Sequence, residues 1–488
     1  MTNEESWNIW QEGIQTCLIT TLSDYNELKV QQIETVNHLL KGKGLSNYAS
    51  ITPSVAGDIS QKINASVFVL GSINQAGRTI RINAQIIRSD TEETIKSFKI
   101  DGTSEEILRM IDSISIIVKN SLIISELEKV WPAPIHERYL RTSKSPEAYR
   151  YFIQGQISFY ENDFPTAIEW FSQALEIDST LLGAIPKISL SYYNDNNIEK
   201  GKEWCLRYFK YLENLNIQEK IWANFLYALY FQTPKERLKY MGQLEDFEDQ
   251  NPLTYFNSGD AYLEMFQFDK AILEFEKALE LFHNWDIKPF WGAFYYELGQ
   301  AYHKSGLYKK EKQLYKKAEH DFPEDPGLMD QQAYLALTLR HTDAANRYIE
   351  KWISIRKEQS WSDASIAGYL AYIYLMADDP DRAVEYFRQA LSLEPESPDR
   401  MMYLAYVLID KDRNINEGME LAEKVLKTDP GYFNGLFVKG VGLYKQGKFT
   451  EALELLQKSW DLRMQHSIYN HNAFLRLEEA KKAVASQL

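Results

Sequence analysis

Cysteine is nearly missing from this chain: two thiols, Cys17 and Cys205, in 488 residues. They stand far apart, so neither a disulfide framework nor a zinc spacing is available. Both read as free, partly buried thiols. Long apolar runs are missing as well. No stretch approaches the roughly 18 consecutive apolar residues that a membrane-crossing helix needs, so direct membrane insertion of this chain is not expected. The opening residues, TNEESWNIW, carry neither the basic nor the apolar segment of a signal peptide. Positive charge is outweighed: the net charge of −15 argues against an indiscriminate binder of phosphate backbones. No nucleic-acid partner is expected.

Signatures of chemistry are also missing. Residues 442–449 (GLYKQGKF) imitate a phosphate-binding loop, but Phe449 stands where Ser or Thr would hold magnesium, and no strand precedes the glycines. The GKG at Gly42–Gly44 lacks the third glycine and the long helix of a dinucleotide site. His466 and His471 are off the i, i+4 spacing of a helical metal pair, and no nucleophile elbow occurs. Asp378-Asp379 and Glu324-Asp325 fall in inter-helix turns, where acids favour the next helix start. No catalytic, metal-binding or cofactor-binding residue is assigned, and a non-enzymatic role is expected.

What the chain does have is aromatic residues, 13% of the total with 31 tyrosines. That is rich for a disordered scaffold and suits helices packed in pairs. It also has one clear β region. Residues 66–73 (SVFVLGSI), 79–87 (TIRINAQII) and 94–100 (TIKSFKI) are rich in Val, Ile, Phe and Thr, with linkers at 74–77 and 89–93. Ile80, Ile82, Ala84 and Ile86 point to one face, with Arg81, Asn83 and Gln85 on the other. The apolar helix predicted over 105–128 is the natural cover for the first face. Upstream, the pattern predicts a helix over 7–24, a short strand at 28–33, a helical turn ending in the Gly42–Gly44 glycines, and a helix opened by Pro53.

The segment Leu70-Gly71-Ser72-Ile73, then Gly77-Arg78 and Ile82-Asn83-Ala84-Gln85-Ile86, resembles the TolB-like amino-terminal domain. That domain precedes helical repeat arrays in many bacterial signalling proteins, including receptor-type kinases, nucleotide cyclases and transcriptional regulators. The family begins with an apolar strand and a Phe-x-Asn-type turn, whereas this sequence starts just after that point. The expectation from the resemblance is a fragment whose upstream part, often a membrane helix or an enzymatic domain, has been removed. On either side of the membrane, a bacterial origin is implied.

After a proline-rich linker (130–145, holding His136), the chain follows a rhythm: small residue, aromatic three on, alanine, aromatic four on, alanine. Gly259, Tyr262, Ala271, Phe275 and Ala278 carry it best, and it returns at a period of about 34 residues. Gly155, Ala167, Phe171 and Ala174 repeat it, as do Ala371, Tyr374, Ala383, Phe387 and Ala390. Repeats near 180–213, 216–250 and 326–357 are degraded. In the repeat at 288–323 Glu311 replaces an alanine, which predicts a splayed hairpin. The pattern resembles the tetratricopeptide repeat (TPR). The resemblance implies a mainly α fold, a right-handed superhelix (α-α solenoid) preceded by the small α+β domain with its antiparallel sheet. The expected domains are 1–129, linker 130–145, about nine hairpins over 146–465, and a capping helix in 466–488.

The resemblance further implies partner binding, with a protein or peptide ligand in a concave groove lined by the first helix of each repeat. Exposed first-helix positions assigned by spacing are Tyr151, Gln154, Asn257, Tyr295, Met401 and Lys439. Trp222 and Phe225, where the consensus fails and aromatics accumulate, are added as partner-binding candidates. Lys309, Lys312 and Lys316 share one helix face and read either as a solvated outer face or as a dock for an acidic segment. The overall reading is a scaffold or sensor portion of a signalling protein. The alternative is the regulatory region of a kinase, cyclase or transcriptional regulator whose other domain lies upstream.

Overall fold

The computed structural model describes some residues between 14 and 30, and residues 51–130, 145–247, 251–284, 288–289 and 291–487. Most of 7–50 and the linker lie outside the described residues, and with them the short strand and the Gly42–Gly44 turn. The chain divides into two compact units, Met1–Gly201 and Lys202–Leu488.

In the first unit, α1 (Pro53–Lys62) begins where the Thr52 side chain accepts from the Val55 N–H, with Pro53 in the first turn. Strands β1 (Val67–Ala76), β2 (Thr79–Arg88) and β3 (Thr94–Gly102) form an antiparallel meander in that order. The strands run further than their apolar runs, so the first connection is only Gly77-Arg78, with Gly77 at φ +62°. Ile80, Ile82, Ala84 and Ile86 are buried as their alternation requires. Helix α2 (Ile107–Val130) covers them with Ile107, Met110, Ile111, Ile114 and Val118, spaced along one helical stripe. On the open face Arg81 reaches Asp101 across β2 and β3 at 2.6 Å.

The rest is helical hairpins. In the first unit these are α3 (Pro146–Tyr160) with α4 (Phe164–Ile177), then α5 (Ala184–Asn194) with the start of α6 (Ile198–Phe209). A Cβ added at Gly155 would lie 2.6 Å from the Phe171 ring, so glycine is what lets α3 and α4 approach this closely. In the degraded hairpin, Ser189 donates to the Gly201 carbonyl at 2.8 Å and Cys205 is buried, its thiol pushed up to about 12 by burial.

The second unit holds α7 (Ile217–Phe231) with α8 (Pro234–Phe247), α9 (Pro252–Glu264) with α10 (Phe268–Asn284), and α11 (Ala293–Lys304) with α12 (Tyr308–Asp321). Next come α13 (Pro326–Thr338) with α14 (Thr342–Glu358), and α15 (Asp363–Met376) with α16 (Pro380–Leu393). Last are α17 (Pro398–Asp410) with α18 (Ile415–Thr428), α19 (Phe433–Lys445) with α20 (Phe449–Gln465), and the closing helix α21 (His471–Ala485). Asn216, Asn251, Asp325, Ser362 and Ser397 each cap a first helix. Within this unit, first helices pack on the next first helix: α9 on α11, α11 on α13, α13 on α15, α17 on α19 and α19 on α21, while second helices make no comparable packing with each other. A stack tight on one side and open on the other curves, and the first helices line its concave side.

Two repeats that depart from the pattern still form helical hairpins. In α13–α14 the alanine position is taken by Trp352, fully buried at the centre of a cluster with Ala333, Ile349 and Leu370. In α11–α12 the buried Glu311 carboxylate meets His303 Nδ1 at 2.9 and 3.0 Å. Gly442 and Gly447, the imitation phosphate loop, pack against Met419 and form the α19–α20 turn at φ +78°.

Candidate partner-binding groove

The concave side separates the expected groove residues into two groups. Phe225, Tyr295 and Met401 are buried, at 2%, 0% and 3% exposure, so they are core residues and not contact residues. Tyr295 donates to Asp321 Oδ2 at 2.5 Å, and Phe225 and Trp222 stack edge-to-face within the α7–α8 hairpin. The reason is angular. Each helical residue turns the side chain by about 100°, so a one-residue misreading exchanges core for groove. Gln154 is exposed. Tyr151, Trp222, Asn257 and Lys439 are half-buried. Tyr151 stacks on Trp170, Asn257 donates to the Leu253 carbonyl at 2.7 Å, and Lys439 pairs with Glu423 at 2.9 Å. Lys309, Lys312 and Lys316 are exposed on α12, a second helix.

Spacing missed other groove residues: Asp260 lies three positions from Asn257, Tyr296 and Glu297 one and two from Tyr295, and α13 and α15 carried no expected residue. On four consecutive first helices, α9, α11, α13 and α15, the concave side carries Asp260, Tyr296 and Glu297, Asp330, and Tyr369 and Tyr372. Arg237 of α8 reaches up to this wall, holding Asp260 Oδ2 at 2.9 Å and also binding Glu264. Asp330 is only 3% exposed; its Oδ2 accepts from the Tyr369 hydroxyl at 2.5 Å and its Oδ1 has no partner. The half-buried Glu297 carboxylate makes no hydrogen bond or ion pair among the described residues. Burial, then the charges of Asp260 and Asp330, push Glu297 up to about 8. Burial outweighs the Tyr369 hydrogen bond at Asp330 and pushes it up to about 7. Tyr372 keeps 41% of its surface exposed beside these acids. Asp260, Glu297 and Asp330 recur near the repeat period of about 34 residues, which is the signal the sequence held.

Among the described residues no group of three or more His, Cys, Asp or Glu side chains is placed to hold a metal ion. No helix of the described residues is long and apolar enough to cross a membrane. A cleft in the first unit is lined by Ile14, Leu18, Val69, Ile82 and Ile114, and its polar Ser72 and Asn83 already bond each other at 3.1 Å.

The fold and groove define a class: an α-α solenoid of tetratricopeptide repeats, preceded in sequence by a three-stranded antiparallel sheet. Comparison with known proteins agrees on the repeats. Residues 252–285, 293–319 and 365–407 match tetratricopeptide-repeat family profiles. Among curated proteins, "Putative adenylate cyclase 3" of Rhizobium meliloti (strain 1021) is 24% identical over 198 residues, 40% of this chain. The match spans 31% of that relative's length. Among solved structures, yeast Tom70 is 15% identical, covering 77% of this chain and 96% of that one with a TM-score of 0.30. YrrB, described as a TPR protein with an unusual peptide-binding site, is 18% identical, covering 50% and 97% with a TM-score of 0.21.

Proposed function

We propose that this protein is an interaction scaffold or sensor module that holds a segment of a partner protein against the first helices of its repeats. The observation that carries the reading is the division of labour along those helices. Gly259, Ala301, Ala333 and Ala371 are spent on packing, while Tyr372 and Tyr403 of neighbouring first helices remain 41% and 54% exposed. Large aromatic surface left in water on the first helices marks a recognition surface.

The finer reading places the module in a bacterial signalling protein. The meander of β1 to β3 under α2 supports a TolB-like domain over 1–129, with the linker at 130–145 dividing it from the array. A second reading follows from the match to a protein named as an adenylate cyclase: the chain is the regulatory region of a multidomain enzyme or transcriptional regulator. Both share the groove and differ in what it controls. In the second unit Trp222, Asn257 and Lys439 stay within the proposed contact surface, and in the first unit Tyr151 and Gln154 remain proposed contact residues of the α3–α4 hairpin.

Site-specific photo-crosslinking in the native host tests the groove. A photoreactive phenylalanine analogue at Tyr372 or Tyr403 is expected to trap a discrete partner, and the same analogue at Lys312 or Lys316 on α12 to trap none. Equal trapping from both faces would refute a groove.

A further inference from the structure

Among the described residues, Glu297 and Asp330 of the groove are not paired with the chain's own cations. Arg237 is occupied by two carboxylates, those of Asp260 and Glu264. Arg356 of α14 acts on Asp330, but it is bonded to Gln359 at 2.9 Å and stacked 4.5 Å from the Trp361 ring centroid. Lys304, two turns along α11 from Glu297, lies instead against Met376 and near Lys411 and Asp378. That leaves Glu297 with like charges acting on it, and Asp330, almost wholly buried, with Tyr369, Gln331 and Arg356 acting on its carboxylate but one oxygen without a hydrogen bond. An unpartnered buried carboxylate oxygen is costly to keep. That oxygen and the half-buried, unpaired Glu297 carboxylate on the adjacent first helix have one simple complement.

We propose that this wall receives a cationic side chain, a lysine or arginine of the partner segment, with Glu297 and Asp330 as its counter-charges and Tyr296, Tyr369 and Tyr372 as its ring lining. The inference rests on the groove reading above. The chemistry selects the cation. The carboxylates do not converge as metal ligands, which disfavours a bare ion and favours a donor fork or ammonium that spans them through hydrogen bonds. Tyr372 offers an exposed ring within the electrostatic reach of both acids, and a cation over a tyrosine face gains further attraction. Glu297 and Asp330 are held above the usual carboxylate range, the response of acids in need of a counter-charge. An acidic or purely apolar segment would leave both uncompensated.

The test uses the full chain, immobilised, and pools of short capped peptides with a fixed central lysine, arginine, norleucine or glutamate and mixed flanks. The lysine and arginine pools are expected to be retained at least about tenfold over the other two. Glu297→Gln is expected to remove that preference without changing the circular dichroism or melting profile for the worse, since Glu297 supports nothing else. Asp330→Asn is the second variant, and Lys316→Glu on α12 the control that leaves retention unchanged. Retention of the norleucine pool equal to that of the lysine pool overturns the cation assignment and leaves the groove reading standing. So does a preference that survives Glu297→Gln. Failure of every pool to bind overturns both.

Discussion

The repeat core stands or falls on close approach, and alanine at Gly259 is the most direct way to challenge it. A Cβ there would sit 2.6 Å from Phe275 Cε1 and 2.7 Å from Cδ1. Phe275 is fully buried and has no free space to turn into. Ordinary carbon contact is about 3.5 Å or more, so α9 and α10 must part by close to an ångström. Overpacking of this kind costs about 1–3 kcal/mol. Alanine returns roughly 0.8–1 kcal/mol of helix propensity, so Gly259→Ala should be destabilising on balance, by up to about 2 kcal/mol. Gly242 supplies the internal standard. It is exposed within α8, and a Cβ there meets nothing within 4 Å. Only the propensity term acts, and Gly242→Ala should stabilise by about 0.5–1 kcal/mol. Repeat arrays do not unfold all-or-none, so amide hydrogen exchange on α9 and α10 is the appropriate readout, with melting as a secondary one. If Gly259→Ala protects those amides as well as wild type does, while Gly242→Ala behaves as stated, the close-approach argument is wrong.

Two further outcomes concern charge. Glu297 has its folded-state value raised from 4.5 to about 8, so the folded chain binds more protons than the unfolded one between those values and stability falls as pH rises through that window. Relative to Glu297→Gln, wild type should lose stability between pH 5 and pH 8, by no more than about 5 kcal/mol as an upper bound; urea midpoints measured at both ends check it, and parallel curves would refute it. Glu311→Ala leaves His303 buried without its carboxylate and should cost about 3–5 kcal/mol, whereas Glu311→Ala with His303→Leu should recover most of that. A double-mutant cycle with no coupling would show that the pair is not a unit.

The repeat architecture was readable because packing uses the same small and aromatic residues each time. Ala271, Phe275 and Ala278 are buried in α10 as their spacing demands. Hairpins whose cores use a different solution were not readable in the same way. Trp352 stands at an alanine position, and Glu311 at another, tolerated only because His303 sits opposite. Such compensation lies in three-dimensional neighbours, not in the period. The groove was legible as a helix and not as a face. Tyr295 is core and Tyr296 groove; Met401 is core and Tyr403 is 54% exposed. A repeat motif fixes the axial position well, but the turn of about 100° between neighbours makes the choice of face sensitive to one residue. The antiparallel sheet was easier, because strict alternation on β2 leaves only two faces.

The irregular core and the acidic wall are connected. Trp352 stacks on Tyr369 with ring centroids 4.9 Å apart and planes 18° from parallel. Tyr369 in turn donates to Asp330. Arg356 packs over Trp352 and Trp361 and lies within reach of the same carboxylate. An alanine at 352, which the consensus prefers, would withdraw the surface on which Tyr369 rests and leave its hydroxyl without a fixed direction. The indole thus does more than fill volume: it holds the hydrogen-bond donor that orients Asp330, whose other carboxylate oxygen is buried without a hydrogen bond. On the neighbouring repeat His303 joins Glu311 on α12 to Thr338 on α13, the latter at 3.3 Å from Nε2, and so ties together the two first helices that carry Glu297 and Asp330. The departures from consensus therefore fall on the repeats that carry Glu297 and Asp330, and they fix the neighbours of those acids in a way that a standard small-residue core would not by itself provide.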